Sequence, residues 1–294
     1  MSWIICTLIG ATLQTFRNLE QKHLNKTIDT LTVSWSRFIL PLPFALITVF
    51  VTLHDVNSKF IIYCIITAIC QIAGNFFLLQ TIKTKNFSIS IAFCKTEVLQ
   101  TMILGLVLFN QQISLTGFCA IMMTMVGIFL MSNLDLKNIK KTFDVAALLG
   151  IASGFVFSIS AFNLKFAAEE MMAGGYSVIN ASLTTLLWVI VIQNLVFIIL
   201  KSSQKRLVSD LKNLFGAENK FSFVKMGLLS FAGSAAWFIA YAIGNVIYVK
   251  AVGQIEMVLA VFISHSHLKE KHSRRDVLGI LLTTFGILVL ILFH

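Results

Sequence analysis

Two glutamates and a lysine, set deep in apolar sequence, are the residues of this chain best placed to do chemistry. Lys95 and Glu97 lie near the middle of 87–109, FSISIAFCKTEVLQTMILGLVLF, and Glu256 lies at the same depth of 246–268, VIYVKAVGQIEMVLAVFISHSHL. Each stretch is long enough to cross a bilayer as one helix. A charge at that depth costs at least about 2.5–3.5 kcal/mol on insertion scales, so it marks a functional position by default. A carboxylate in a cavity can bind an amine, take up a proton, or do both in turn, because burial and nearby cations pull its pKa in opposite directions. Residues two apart point to different faces of a helix, which sets Lys95 against pairing with Glu97 and toward Glu256 across the molecule. Lys95 then either completes a fixed salt bridge or receives a solute carboxylate while a glutamate takes the amine, as a zwitterion site would. Gln100, about one turn beyond Glu97, and Gln254, just before Glu256, are candidates to line the same cavity.

Other polar side chains share helix faces at equivalent depth. Gln71 and Asn75 are four apart, and Ser234, Trp237 and Tyr241 repeat at three and four. Amides and aromatics in an apolar wall are what small-ligand pockets use, although interhelical hydrogen bonding explains them equally well. Asn180 and Gln193 fit the second role. Arg17, with Gln14 and Asn18, and Arg37 fall toward helix ends, where long basic side chains commonly snorkel to headgroups; the alternative is anion recognition or gating. Pro41 and Pro43 predict a kink. His265 and His267 suit interfacial solvation or pH sensing, and Asp144 suits a helix cap.

These residues need helices to hold them. With 57% hydrophobic and 12% charged residues and mean hydropathy +0.87, too little polar surface exists to cover a soluble fold. Ten apolar stretches are expected to span: 2–18, 32–53, 60–82, 87–109, 114–132, 144–166, 177–200, 223–243, 246–268 and 276–293. Glu97 and Glu256 stand 159 residues apart, and the same offset relates Asn75 to Ser234, Ser114 to Ser273, Ile121 to Ile280, Thr124 to Thr283 and Gly127 to Gly286. That gap-free match is an internal repeat. Five spans per half forces opposite orientations, which gives an all-α integral membrane protein of two inverted five-helix repeats, 1–143 and 144–294. In that architecture the solute site lies at the repeat interface near the midplane.

The formal charge of +10 does not point to nucleic acid, because the basic residues cluster in short loops. Those after odd-numbered stretches hold Lys137, Lys140, Lys141, Lys201, Lys205, Arg206, Lys269 and Lys271, among others, against little beyond Lys59 on the other side. This bias puts the basic loops in the cytoplasm and both termini outside, in an inner (plasma) membrane. The segment 201–221 spaces Leu207, Leu211, Leu214 and Phe215 as an amphipathic surface helix. The five cysteines read as buried apolar residues, and no cleavable leader is expected. No HExxH, GxSxG or Walker-type motif occurs, so neither an enzyme nor a cofactor is expected.

The ends of the two halves, GLVLFNQQISLTGFCAIMMTMVGIFLM and FISHSHLKEKHSRRDVLGILLTTFGILVLIL, resemble the signature of EamA-type members of the drug/metabolite transporter superfamily. Lys269-Glu270-Lys271 with Gly279 and Gly286 matches its charged turn and paired small residues; Asn110-Gln111-Gln112 with Ala120 and Gly127 is a degenerate copy without the acid. The family's frequent Pro in the fourth and ninth helices is missing here. The resemblance implies a ten-helix, inverted-repeat carrier in the lipid bilayer, moving a small-molecule substrate. An amino acid or similar zwitterion is favoured, exported by proton antiport with alternating access, a direction that family habit supports more than any residue. Efflux of hydrophobic cations and lipid handling without transport are the alternatives.

Overall fold

The computed structural model describes residues 2–48, 55–84, 93–131, 145–215, 220–259, 262 and 274–293. Every regular element among them is helical: α1 (Ser2–Leu24), α2 (Thr30–Ile39), α3 (Leu42–Ile47), α4 (Ser58–Thr84), α5 (Glu97–Val107), α6 (Leu115–Met131), α7 (Val145–Ala173), α8 (Val178–Ser203), α9 (Leu207–Phe215), α10 (Lys220–Ile243), α11 (Val246–Val252) and α12 (Arg274–Phe293). Each of the ten expected stretches contains a described helix. Five are long and apolar enough to cross a membrane: Thr30–Ile47, Ser58–Lys83, Val145–Ala173, Val178–Ser203 and Phe223–Ile243. His265, His267, Lys269, Glu270, Lys271 and Asp144 lie outside the described residues.

The distribution of polarity is that of a multi-pass membrane protein. Ile62, Ile65 and Ile69 on α4 and Leu278, Leu281, Phe285 and Leu288 on α12 are exposed, while Arg17, Lys95, Glu97 and Glu256 are buried. A soluble bundle would reverse this arrangement, because burying unpaired charge costs far more than exposing it to water.

The most extensive helix pairings are α4 with α7, α6 with α12 and α1 with α10. Small residues make the second of these possible. A Cβ on Gly127 would lie 2.6 Å from the Gly279 carbonyl oxygen, and one on Gly286 would lie 2.8 Å from that of Ala120. The small residues of the terminal motif are therefore where the two helix backbones meet. Residues 159 apart also touch directly: Trp35 Nε1 donates to Asn194 Oδ1 at 3.1 Å, and Thr283 Oγ1 donates to the Thr124 carbonyl at 3.4 Å.

Three expected helices are interrupted. Pro41 lacks an N–H and its ring clashes with the preceding turn, so α2 stops at Ile39 and α3 starts at Leu42, with Pro41 as its N-cap. This is the expected kink. The stretches at 87–109 and 246–268, each expected as one helix, both break at their charged centres. Thr96 is the N-cap of α5, so Glu97 is that helix's first residue. α11 ends at Val252, turns through Gly253 and Gln254, and helix resumes over 255–259. Short-range bonds satisfy the backbone there: Thr96 N to Phe93 O at 3.3 Å, Glu256 N to Gly253 O at 3.1 Å and Met257 N to Gln254 O at 2.9 Å. α7 crosses the first break closely enough that a Cβ on Gly154 would meet Cys94 O at 2.9 Å and Glu97 N at 3.0 Å.

At one end of the bundle, α9 lies against α2 and α8. Leu214 is buried with Trp35, Phe38 and Phe197, and Leu207 and Leu211 pack on them, whereas Phe215 is half exposed. Lys201, expected in a basic loop, is instead fully buried at the end of α8. Its ammonium lies 2.7 Å from Asp210 Oδ2 on α9 and donates to Thr32 Oγ1 at 2.7 Å. Asp29, the N-cap of α2, joins this cluster through Lys201 at 3.8 Å and Arg206 at 3.4 Å.

Candidate functional site

The two helix breaks bring their charged residues to one cavity of about 70 Å³, room for roughly five waters or one compact solute. Lys95 Nζ lies 2.5 Å from Glu256 Oε2, and Lys250 Nζ lies 3.2 Å from Glu97 Oε2. Each carboxylate is thus held by a lysine from the other half of the chain. Lys95 is also 3.7 Å from Glu97 Oε1, which corrects the expectation that the two cannot meet. That expectation assumed a continuous helix, and the turn at Thr96 removes it.

The two glutamates have different company. Glu256 accepts further hydrogen bonds from Gln14 Nε2 at 2.9 Å and Asn18 Nδ2 at 2.8 Å, both on α1. Glu97 is the first residue of α5. Its own carbonyl accepts from Ser158 Oγ at 3.0 Å, which ties the start of α5 to α7.

Arg17 and Arg37 line the same cavity. Arg17 does not snorkel: it is 1% exposed, because α1 runs on to Leu24 and leaves the side chain well inside the helix. Among the described residues its one hydrogen bond is a long one, Nη2 to Asn18 Oδ1 at 3.4 Å, and its Nε and Nη1 groups find no acceptor there. Arg37 Nη1 donates to Asn75 Oδ1 at 2.9 Å, and Asn75 in turn donates to Ser34 Oγ at 3.0 Å. The Arg37 guanidinium and the Lys250 ammonium also face the Phe157 ring, at 5.5 and 5.9 Å from its centroid, positions where the ring face attracts cations.

The remaining candidates divide by position. Gln71, Ser234, Trp237 and Tyr241 line the cavity; Trp237 stacks on Tyr241 with centroids 5.5 Å apart, and Gln71 Oε1 accepts from Gln193 Nε2 at 2.9 Å. Asn75, Gln100 and Gln254 are not part of the lining. Asn75 is spent on Arg37. Gln100 turns away to Thr96 Oγ1 and the Ile151 carbonyl, at 3.3 and 3.2 Å. Gln254 folds back on the Lys250 carbonyl at 2.9 Å, because it lies in the turn between the half-helices. Lys250 and Phe157 were not anticipated. Lys250 carries the same signal as Lys95, a charge inside an apolar stretch, whereas nothing distinguishes Phe157 among 26 phenylalanines.

With this geometry in view, the chain's likeness to known proteins is informative. The model of the EamA-like transporter family matches residues 1–133 and again 144–292. No curated protein matches the sequence. A solved crystal structure, described only as that of a protein, superposes with a TM-score of 0.70 at 12% identity, over 99% of this chain and 97% of that one. At that identity the likeness speaks for the fold alone. Two matched halves, together nearly the whole chain, place this multi-pass membrane protein in the EamA-like transporter family.

Proposed function

We propose that the chain is a secondary carrier that exports a small polar metabolite of amino-acid size in exchange for protons, by alternating access of its central cavity. In this reading, 1–143 and 144–294 are inverted five-helix repeats making ten spans, with both termini outside an inner (plasma) membrane. One observation carries it: two carboxylates sit in a cavity built by both halves, each held by a lysine of the opposite half. Such pairs can be exchanged for a solute group or a proton without exposing bare charge to lipid. Tyr241 and Trp237 supply apolar wall beside the charged groups, the usual make-up of a small-ligand site.

Hydrophobic-cation efflux fits less well. Arg17, Arg37, Lys95 and Lys250 all face the cavity, and an incoming cation would meet them with no surplus of carboxylate. Lipid handling without transport predicts no solute flux at all.

The test is flux of radiolabelled solutes into vesicles holding the purified chain, under an imposed pH gradient. Glu97→Gln and Glu256→Gln, singly and together, are expected to abolish gradient-driven flux. Unchanged rate and unchanged pH dependence in all three variants would sink the coupling role.

A further inference from the structure

We propose that the cargo of this cavity bears a net negative charge, and that Arg17 receives its acidic group while Arg37, in the same lining, makes the site electropositive. This rests on the carrier reading above and adds the charge class of the solute.

The inference starts from an imbalance. Among the described residues, four basic side chains line the cavity, Arg17, Arg37, Lys95 and Lys250, against two carboxylates, Glu97 and Glu256. Both carboxylates are already engaged, Glu256 by Lys95, Gln14 and Asn18, and Glu97 by Lys250. A solute ammonium arriving here finds its natural partners occupied. The arginines are in the opposite condition: among the described residues neither comes within ion-pair distance of a carboxylate.

Arg17 is the sharper case. It is 1% exposed, yet two of its N–H-bearing nitrogens have no acceptor among the described residues. A buried charge left without a partner is destabilising, and proteins otherwise pair it. A guanidinium with unused donors facing a cavity is shaped for a planar carboxylate or a phosphate, both of which it can hold by two parallel hydrogen bonds. Arg37 differs in being fixed, by Asn75 on one side and by the Phe157 ring on the other. A fixed cation beside a cavity sets a field that favours anions without itself having to move. The two arginines therefore divide the work: Arg17 makes the contact, and Arg37 makes the site electropositive.

The shared chemistry is a compact acidic group, and carboxylate and phosphate are separated by experiment. Binding to the full chain in lipid nanodiscs is measured for succinate, aspartate, glycerol 3-phosphate, alanine and putrescine, with uptake into vesicles measured in parallel. At least one of the three anions is expected to bind and to be carried, with alanine and putrescine at least tenfold weaker. Preference for succinate or aspartate assigns a carboxylate; preference for glycerol 3-phosphate assigns a phosphate. Arg17→Gln is expected to weaken that anion tenfold or more. Should Arg17→Gln not fold, Arg17→Lys decides, since it keeps the charge and loses the fork: an unchanged Kd overturns the role given to Arg17. Carriage of alanine or putrescine in preference to every anion overturns the charge assignment and leaves the carrier reading standing. No flux of any probe overturns the carrier reading and this inference with it.

Discussion

Breaking one of the crossed ion pairs from either side, and then from both, tests whether they fasten the two halves together. Lys95 and Glu256 lie 2.5 Å apart, nearly excluded from solvent. Removing one member of a buried pair costs about 3–5 kcal/mol, because the other is left charged and unpaired. The two sides are not equal here. Lys95→Met leaves the Glu256 carboxylate with the Gln14 and Asn18 amides, and a hydrogen bond to a charged group is worth about 1.5–3 kcal/mol, so this variant falls at the low end, about 3 kcal/mol. Glu256→Gln leaves the Lys95 ammonium with Glu97, at 3.7 Å, as its one remaining carboxylate among the described residues, and costs about 4 kcal/mol. The double variant strands no charge and costs less than the sum of the singles, giving a coupling energy of about 2–3 kcal/mol, the upper part of the range for residues in contact. The assay is denaturant titration of the purified chain in one fixed micelle, wild type and three variants. Strict additivity, or single variants as stable as wild type, refutes the pairing. The double variant has a second use: it strands neither charge yet lacks a carboxylate at 256, so on the coupling reading its pH-driven flux stays absent.

Three further outcomes follow from the packing and the charge cluster. Gly127→Leu and Gly286→Leu drive a side chain into the opposite backbone, at Gly279 O and Ala120 O, and each lowers stability by about 1–3 kcal/mol or more, read in the same titration. Gly154→Val pushes on Cys94 O and Glu97 N, backbone atoms that cannot swing aside; solute Kd and flux change more than the midpoint of unfolding, since the displaced group is the Glu97 turn. Asp210→Asn leaves Lys201 buried without its 2.7 Å partner and loosens α9, seen as faster amide exchange over 207–215. In that cluster burial raises the Asp29 carboxyl, but the Thr32 hydrogen bonds and the Lys201 and Arg206 charges outweigh it and hold it below the ordinary range. A depressed carboxyl stabilises fully above its unfolded pKa, about 3.9, and the contribution fades as pH falls through the lower folded value. Asp29→Asn therefore flattens the part of the acid loosening of α9 that lies below about pH 4.

Much of this was legible in the residues, for physical reasons. A charge in an apolar run is expensive enough to be rare, which singled out Lys95, Glu97 and Glu256, and the structure brings all three to one cavity. Lys250 obeys the same rule and was passed over because its counterpart 159 residues earlier is Ile91, so the repeat does not mark it. Arg17 was misplaced because the apolar signal stops near residue 18, whereas the helix it belongs to continues to Leu24. The break before Glu97 has no proline or glycine to announce it. α7 passes close against it at Gly150 and Gly154, a tertiary contact that no local pattern carries.

The crossed pairing and the surplus arginines make sense together. A lysine and a carboxylate on the same half would neutralise each other without linking the halves. Exchanged across the interface, each pair holds one half to the other, so any motion that opens the cavity must replace a buried partner. On the proposal of an anionic cargo, a solute acid at Arg17 compensates positive charge that the pairs leave over among the described residues. On that proposal the empty cavity leaves both guanidiniums without a carboxylate partner among the described residues. Charge balance in the cavity would then distinguish the loaded crossing from the empty one, and it is set by side chains that the broken helices hold in fixed positions.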